Sequence, residues 1–260
     1  MERFMSKHEQ EVDYNLSESG VHPVKLRDLL GNDPDRINRL LSTELNYAYA
    51  NGHPELRQNI AALYDGATPE NVLVTIGAIE ANYNTIRALL APQDEIVVML
   101  PNSLQIWGVA KNHGRNVKTF RLREENGWAP DLDELKEVLT PRTKLIAVCN
   151  PNNPTGRILT EAEMHEIIRL ADRVGAWILA DEVYAGAERL TQEPTPSFYG
   201  RYDKVIAVGS LSKAYGLPGL RTGWAVGPAD VIDRIWAWHE YTTLSATMLA
   251  NQLAAIALSP

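Results

Sequence analysis

Short apolar runs recur along the chain, separated by stretches in which polar and apolar positions mix. Residues 72–76, 95–100, 117–122, 144–149, 176–180, 205–208 and 222–226 hold four to six residues each, most of them nearly unbroken hydrophobic segments. That is the pattern of strands covered on both faces, because a strand with one wet face alternates. Between them, residues 55–64, 78–90, 104–113, 131–139, 160–174 and 229–241 predict helices. Pro54 suits the first turn of the first helix, where its missing N–H leaves no bond unmade. Asp131 is placed to cap the fourth, and Thr160 with Glu163 reads as a capping box for the fifth.

The first 40 or so residues differ. They are polar and irregular, interrupted by Pro23, Gly31 and Pro34, and predict an arm with one short helix over 23–30, followed by a loop at 45–54. From there strands and helices alternate, which predicts a mostly parallel sheet in a three-layer α/β/α fold. The expected division is an arm at 1–40 and a large domain at 41–260. Ligands in such sheets bind beyond the carboxyl ends of the strands, so chemistry is to be sought there.

Composition narrows the function classes. Of 260 residues, 45% are hydrophobic and 22% charged, which is ordinary for a globular protein. The net charge of −8 argues against a nucleic-acid or membrane-surface binder, which needs a basic face. The single cysteine, Cys149, fits a reducing compartment and reads as a buried strand residue rather than a catalytic thiol. The N-terminus carries charges throughout and has no apolar leader, and no run approaches membrane-spanning length, so a cytoplasmic location is expected. The six histidines show no metal-ligand spacing, so no metal is expected.

Several residues at strand ends could carry chemistry. Lys213 follows the 205–208 strand and sits among Gly209, Ser210, Ser212 and Gly216, with Arg221 eight residues on. An amine held beside an anion-binding turn suits imine formation with an aldehyde cofactor. Asp181 closes the 176–180 strand, where a carboxylate is costly unless a site uses it; it could keep a pyridine nitrogen protonated, with Tyr184 donating to a phenolate oxygen. Asn153 lies in Asn-Pro-Asn-Asn-Pro-Thr-Gly (150–156), a rigid turn that can offer an amide to a ligand. Gly77, Ala78 and Ile79 join a strand to a helix start, a position that offers N–H groups to a phosphate, to which Ser210 and Arg221 would add a hydroxyl and a guanidinium. Taken singly, each has a plainer role: a solvated lysine, an N-capping aspartate, an ordinary turn.

Jointly, the motifs Asn-Pro-Asn-Asn-Pro-Thr-Gly (150–156), Asp-Glu-Val-Tyr (181–184) and Ser-Leu-Ser-Lys (210–213) with Arg221 resemble those of the fold-type I pyridoxal-phosphate enzymes, specifically the class I/II aminotransferases. The likeness runs from about Asn15 to the last residue. The segments at 14–23 and 212–221 are similar to the capreomycidine-synthase-like branch.

The resemblance implies Lys213 as the Schiff-base lysine and proton shuttle. Asp181 would pair with the pyridine nitrogen, Asn153 and Tyr184 with the ring hydroxyl, and Ser210, Arg221 and the 77–79 backbone with the phosphate of pyridoxal 5'-phosphate. Tyr47 matches a tyrosine given to the partner subunit's phosphate, which implies a homodimer. Gly20 matches a glycine lining the substrate pocket, where Asn153 would also lie. The implied activity is transfer of an amino group from an L-amino acid to a 2-oxo acid. A lyase or cyclising β/γ-elimination enzyme shares the same residues. A truncated cofactor-binding protein without full activity is the further alternative.

Three departures from the family pattern stand out. Ser103 replaces the aromatic residue that stacks on the ring; Trp107 is nearby, but its helical setting predicts a core role. Ile79 lacks a hydroxyl for the phosphate. The arginine that grips the substrate carboxylate belongs to a smaller C-terminal domain beyond residue 260, so a truncated chain is expected. Trp236, Trp238 and His239 fall on one helix and predict core or dimer packing.

Overall fold

The structure is a computed structural model, and it describes residues 2–9, 11–15, 18–189, 191 and 193–259. Leu16 and Ser17 of the arm lie outside the described residues. The N-terminal region is more helical than its composition predicts, with α1 (Glu2–His8), α2 (Leu26–Leu30) and α3 (Pro34–Leu41). Pro34 opens a helix instead of breaking one. It occupies the first turn, and the Asp33 carboxylate accepts the N–H groups of Asp35 and Arg36 at 3.0 and 3.1 Å. The helix expected over 23–30 shortens at its start because Val24 N–H donates to Gly216 O at 2.8 Å, which pins the arm in extended form against the loop after Lys213.

The alternating elements follow as α4 (Pro54–Ala61), β1 (Val72–Ile76), α5 (Gly77–Leu89), β2 (Glu95–Leu100), α6 (Gln105–Asn112), β3 (Asn116–Arg123), β4 (Ala129–Pro130), α7 (Leu132–Val138), β5 (Thr143–Cys149), α8 (Glu161–Val174), β6 (Trp177–Asp181), β7 (Val205–Ser210), β8 (Thr222–Val226), α9 (Ala229–His239) and α10 (Met248–Ala257). The caps are those the sequence indicated: Asp131 accepts from Glu134 N–H at 2.9 Å, and Thr160 and Glu163 form their reciprocal pair. The two-residue β4 had no sequence signal. It forms because the chain turns back at Gly127 and lays Ala129 and Pro130 against Leu122 and Arg123.

The sheet runs β1-β8-β7-β6-β5-β2-β3-β4. The pairs β2/β3, β2/β5, β5/β6 and β6/β7 are parallel, while β8 is antiparallel to both β7 and β1. Alternation along the strands feeds two helical layers. On β5, Leu145 and Ala147 join α5, α6 and α9 through Ile86, Ile106 and Ile235, whereas Ile146 and Val148 join α7 and α8 through Leu135 and Ile167. A third cluster packs α4 and α10 on β1 and β8 through Leu56, Ile60 and Ala254. The three-layer α/β/α arrangement follows from these faces. No helix among the described residues is long and apolar enough to cross a membrane.

Glu95, at the start of β2, is a fully buried charged residue that this core must accommodate. Its buried carboxylate meets Lys118 Nζ at 2.8 Å, Arg142 Nη2 at 2.7 Å and Thr140 Oγ1 at 2.6 Å. Burial opposes its charge, but Lys118, Thr140 and Arg142 overcome that and hold the carboxyl at about 2, below the ordinary 4.5. The stabilisation is therefore full above the ordinary value and is lost as pH falls from 4.5 toward 2. Because Arg142 is exposed and water screens it, Glu95→Gln should lower unfolding stability by only about 1–2 kcal/mol at neutral pH. It should also flatten the acid limb of a denaturation series, and an unchanged acid limb would contradict this account.

Candidate active site

The carboxyl ends of β1, β2, β5, β6 and β7 lie along one edge of the sheet, since β1 runs in the same sense as β7 through two antiparallel steps. The amino end of β8 falls on that edge as well. Register places Thr222 beside Ile76 and Gly223 beside Ser210, so Arg221 arrives next to the start of α5.

Gly77 turns β1 directly into α5 with φ of 71°, and among the described residues no side chain caps the first turn of that helix. A Cβ on Gly77 would lie 2.7 Å from Arg221 Nη2, so the guanidinium occupies the space beside the helix start. Arg221, itself left-handed at φ 51°, is fixed by Nη1 donating to Pro218 O at 3.0 Å and to Ser212 Oγ at 3.4 Å. Ser210 Oγ stands 2.9 Å from Ser212 Oγ and accepts the Ser212 N–H at 3.0 Å. Free helix N–H groups, a guanidinium and two hydroxyls form a cup suited to a phosphate. Ala78 and Ile79 complete its backbone, with the Ile79 side chain exposed.

Behind the cup, Glu80 is buried on α5 and accepts from His239 Nδ1 at 2.9 Å, Thr242 Oγ1 at 2.8 Å, Thr243 Oγ1 at 2.5 Å and Ile76 N–H at 2.6 Å. Burial works against this charge, but the bonds from His239, Thr243 and Ile76 outweigh it and hold the carboxyl at about 2. His239 is fully buried, and its role is structural, as expected for that helix. Trp238 stacks under Arg87, whose guanidinium carbon is 4.4 Å from the ring centre, and Trp236 packs at the edge of the α5/α9 layer.

At the other end of the site, Asp181 is buried where β6 ends. Its Oδ2 accepts from Asn82 Nδ2 at 3.0 Å and its Oδ1 from Val183 N–H at 3.3 Å. Burial pushes its carboxyl above the usual range, against the pull of those two bonds. Glu182 is pushed up to about 7, chiefly by burial, while it holds Ser197 and the Phe198 N–H. Cys149 is buried at the end of β5, and burial pushes its thiol up, which fits a packing role.

Lys213 Nζ donates to Ser19 Oγ at 3.1 Å and lies 3.4 Å from Glu18 Oε1; Ser19 Oγ is 2.7 Å from the Tyr184 hydroxyl. The amine also stands 5.8 Å from the Tyr184 ring centre. Gly20 closes the same corner, its N–H bonded to Glu18 at 3.1 Å. Ser19, Asn82 and Gln105 join the site with no motif of their own, whereas Ser212 stands in the run around Lys213. Asn82 had a signal, being a polar residue on the apolar face of α5.

Other predicted residues stand apart from this bonded set. Asn153 is half-buried in its turn, where Asn152 does the local bonding through Pro101 O and Thr155, and its own side chain makes no hydrogen bond to Tyr184 or Lys213. Tyr47 is 85% exposed and takes no part in the set. Ser103 is exposed. Trp107 is a correction: it is 37% exposed with Lys111 Nζ 5.8 Å from its ring centre, because its position on α6 faces solvent rather than the sheet. No cluster of His, Cys, Asp or Glu fit for a metal occurs among the described residues.

The family model described as aminotransferase class I and II matches residues 29–260. The chain belongs to that family. Among its relatives, capreomycidine synthase of Streptomyces vinaceus is 33% identical over 94% of this chain and 63% of its own length. The aspartate/prephenate aminotransferase of Thermus thermophilus is 31% identical over 82% of this chain and 56% of its own. A PLP-dependent aminotransferase from Streptococcus suis superposes with a TM-score of 0.92 at 35% identity, covering 99% of this chain and 69% of that one. This aminotransferase-family chain thus spans about three fifths of the curated relatives it matches.

The cup leaves no space at Gly223, where a Cβ would fall 2.3 Å from Ala78 N and 2.4 Å from Gly77 C. Gly223→Ala must push α5 away from β8, and should lower unfolding stability by about 1–3 kcal/mol. Denaturant titration checks it: wild-type stability would show that the cup tolerates a methyl group.

Proposed function

We propose that the chain forms the cofactor-binding part of a pyridoxal-phosphate-dependent aminotransferase that moves an amino group from an L-amino acid to a 2-oxo acid. The observation that carries this reading is the Lys213 amine, joined through Ser19 to the Tyr184 hydroxyl, on the sheet edge that also holds buried Asp181 and the Arg221–Gly77 cup. These groups match the cofactor's chemistry: an amine for its aldehyde, a buried carboxylate for its ring nitrogen, a hydroxyl for its phenolic oxygen and a cationic cup for its phosphate. When bound, the cofactor supplies an aldehyde that condenses with amines and a cationic ring that draws electrons from the neighbouring carbon.

This chain's residues would do the rest. Arg221, Ser210, Ser212 and the N–H groups of Gly77, Ala78 and Ile79 hold the phosphate. Asp181 keeps the proton on the ring nitrogen, and Tyr184 donates to the ring oxygen. Lys213 Nζ would accept the proton leaving the substrate's α-carbon and hand it to the cofactor carbon that carried the aldehyde, and would reverse that transfer when the 2-oxo acid takes up the amino group. Asn153 and Gly20 border the substrate side. Residues 1–40 serve as the arm, and 41–260 as the cofactor-binding domain.

Exposed Leu41, Leu45, Tyr47 and Tyr49 favour a homodimer in which Tyr47 reaches the second copy's phosphate, since large apolar side chains grouped at the surface mark contact regions. A cytoplasmic location accords with the single, buried cysteine. The likeness to capreomycidine synthase favours a second reading, elimination or cyclisation with the same residues.

Adding pyridoxal phosphate should produce a near-visible absorbance band that Lys213→Ala abolishes. Incubation of the loaded protein with amino acids and 2-oxoglutarate should yield glutamate. Ammonia without glutamate would favour the second reading, and a band that no amino acid perturbs would rule out both.

A further inference from the structure

Asn82 is buried on α5, 2% exposed, and uses both N–H groups of its amide. One goes to Asp181 Oδ2 at 3.0 Å and the other to Gln105 Oε1 at 3.1 Å. Gln105, at the start of α6, passes the chain on by donating from Nε2 to Ile79 O at 2.8 Å. Each of these three bonds sets an amide N–H against an oxygen acceptor. Turning the Asn82 amide over would set its oxygen against the Asp181 carboxylate, so the orientation is fixed by charge. Asn82 Oδ1 is left buried and unpartnered among the described residues, an unfavourable state that the two donated bonds must outweigh.

The series joins the two ends of the site. Asp181 is the carboxylate that would pair with the ring nitrogen, and Ile79 belongs to the turn that would hold the phosphate. With Ser103 exposed at the position of the usual stacking aromatic, the ring's orientation rests more heavily on its nitrogen edge and its phosphate. We propose that Asn82, braced by Gln105, is a positioning residue that orients the Asp181 carboxylate and ties it to the phosphate-binding turn. This rests on the reading of the site as a pyridoxal-phosphate site. Titratable neighbours of Asp181 are Cys149 on β5 and Glu182 in the next position. Neither supplies a donor to Oδ2, so Asn82 is not redundant with them.

The test uses the full chain loaded with pyridoxal phosphate and reads cofactor affinity together with the pH midpoint of its near-visible band. Asn82→Leu keeps the volume and removes both donors. It should weaken cofactor binding about tenfold, the effect of one hydrogen bond to a charged group. The band's midpoint should rise by about one pH unit, because a less firmly charged Asp181 leaves less positive charge on the ring. Gln105→Leu leaves the Asn82–Asp181 bond in place but unties it from Ile79. It should weaken binding by a smaller factor with a smaller midpoint shift, and it keeps the question open to test should Asn82→Leu fail to fold. Wild-type affinity and midpoint in either folded variant would overturn the assignment alone. No band in the unaltered chain would overturn the proposed function and this assignment with it.

Discussion

Between Gly223 on β8 and the first two residues of α5 there is no room for a methyl group, and that close approach shapes the cup where β8 meets the start of α5. Because β8 runs against its neighbours, its amino end reaches the edge where β1 and β7 finish. Backbone contact at Gly223 then fixes the distance between Arg221 and the opening turn of α5. A parallel β8 would have delivered Arg221 to the opposite edge, and the helix N–H groups would face a ligand without their guanidinium. The antiparallel insertion of β8 thus decides which groups share this edge of a mostly parallel sheet.

Electrostatics at this edge are set by what each carboxylate touches. A negative charge within the first turn of a helix would oppose a phosphate there, and Glu80 is such a charge. Its bonds to His239, Thr242 and Thr243 spend its lone pairs on the interior side, binding α5 to the segment after α9. Asp181 is treated differently. It is buried with few donors, so its carboxyl is pushed upward and gains from meeting a cation. Adjacent Glu182 meets Ser197 and the Phe198 N–H, and holds the loop that returns to β7. Neighbouring acids in one sequence motif therefore have separate tasks, decided by which side of the strand each faces.

The arm adds a part that the sheet does not supply. Val24 N–H bonds to Gly216 O, which sets residues 18–20 over Lys213 and brings Ser19 between the amine and Tyr184. Pieces of chain about 195 residues apart thus meet at one nitrogen. Ser19 had no pattern of its own to mark it, since its role exists only once the arm is docked.

Runs of apolar residues at 72–76, 95–100, 144–149 and 176–180 settled the strands and the double-faced burial of the sheet, because side-chain period and hydrophobicity are local properties. The motifs around Lys213, Asp181 and Arg221 likewise carried their residue types openly, since amine, carboxylate and guanidinium chemistry belongs to the side chain itself. Strand order and the direction of β8 were not local, and neither was the partner of a buried amide. Asn82 was visible as a polar residue in an apolar face, but its bond to a carboxylate 99 positions away came only from folding. The sequence determined which groups were available to the site. Tertiary structure decided which of them meet, because hydrogen bonds and close backbone contacts depend on distances that chain order does not specify.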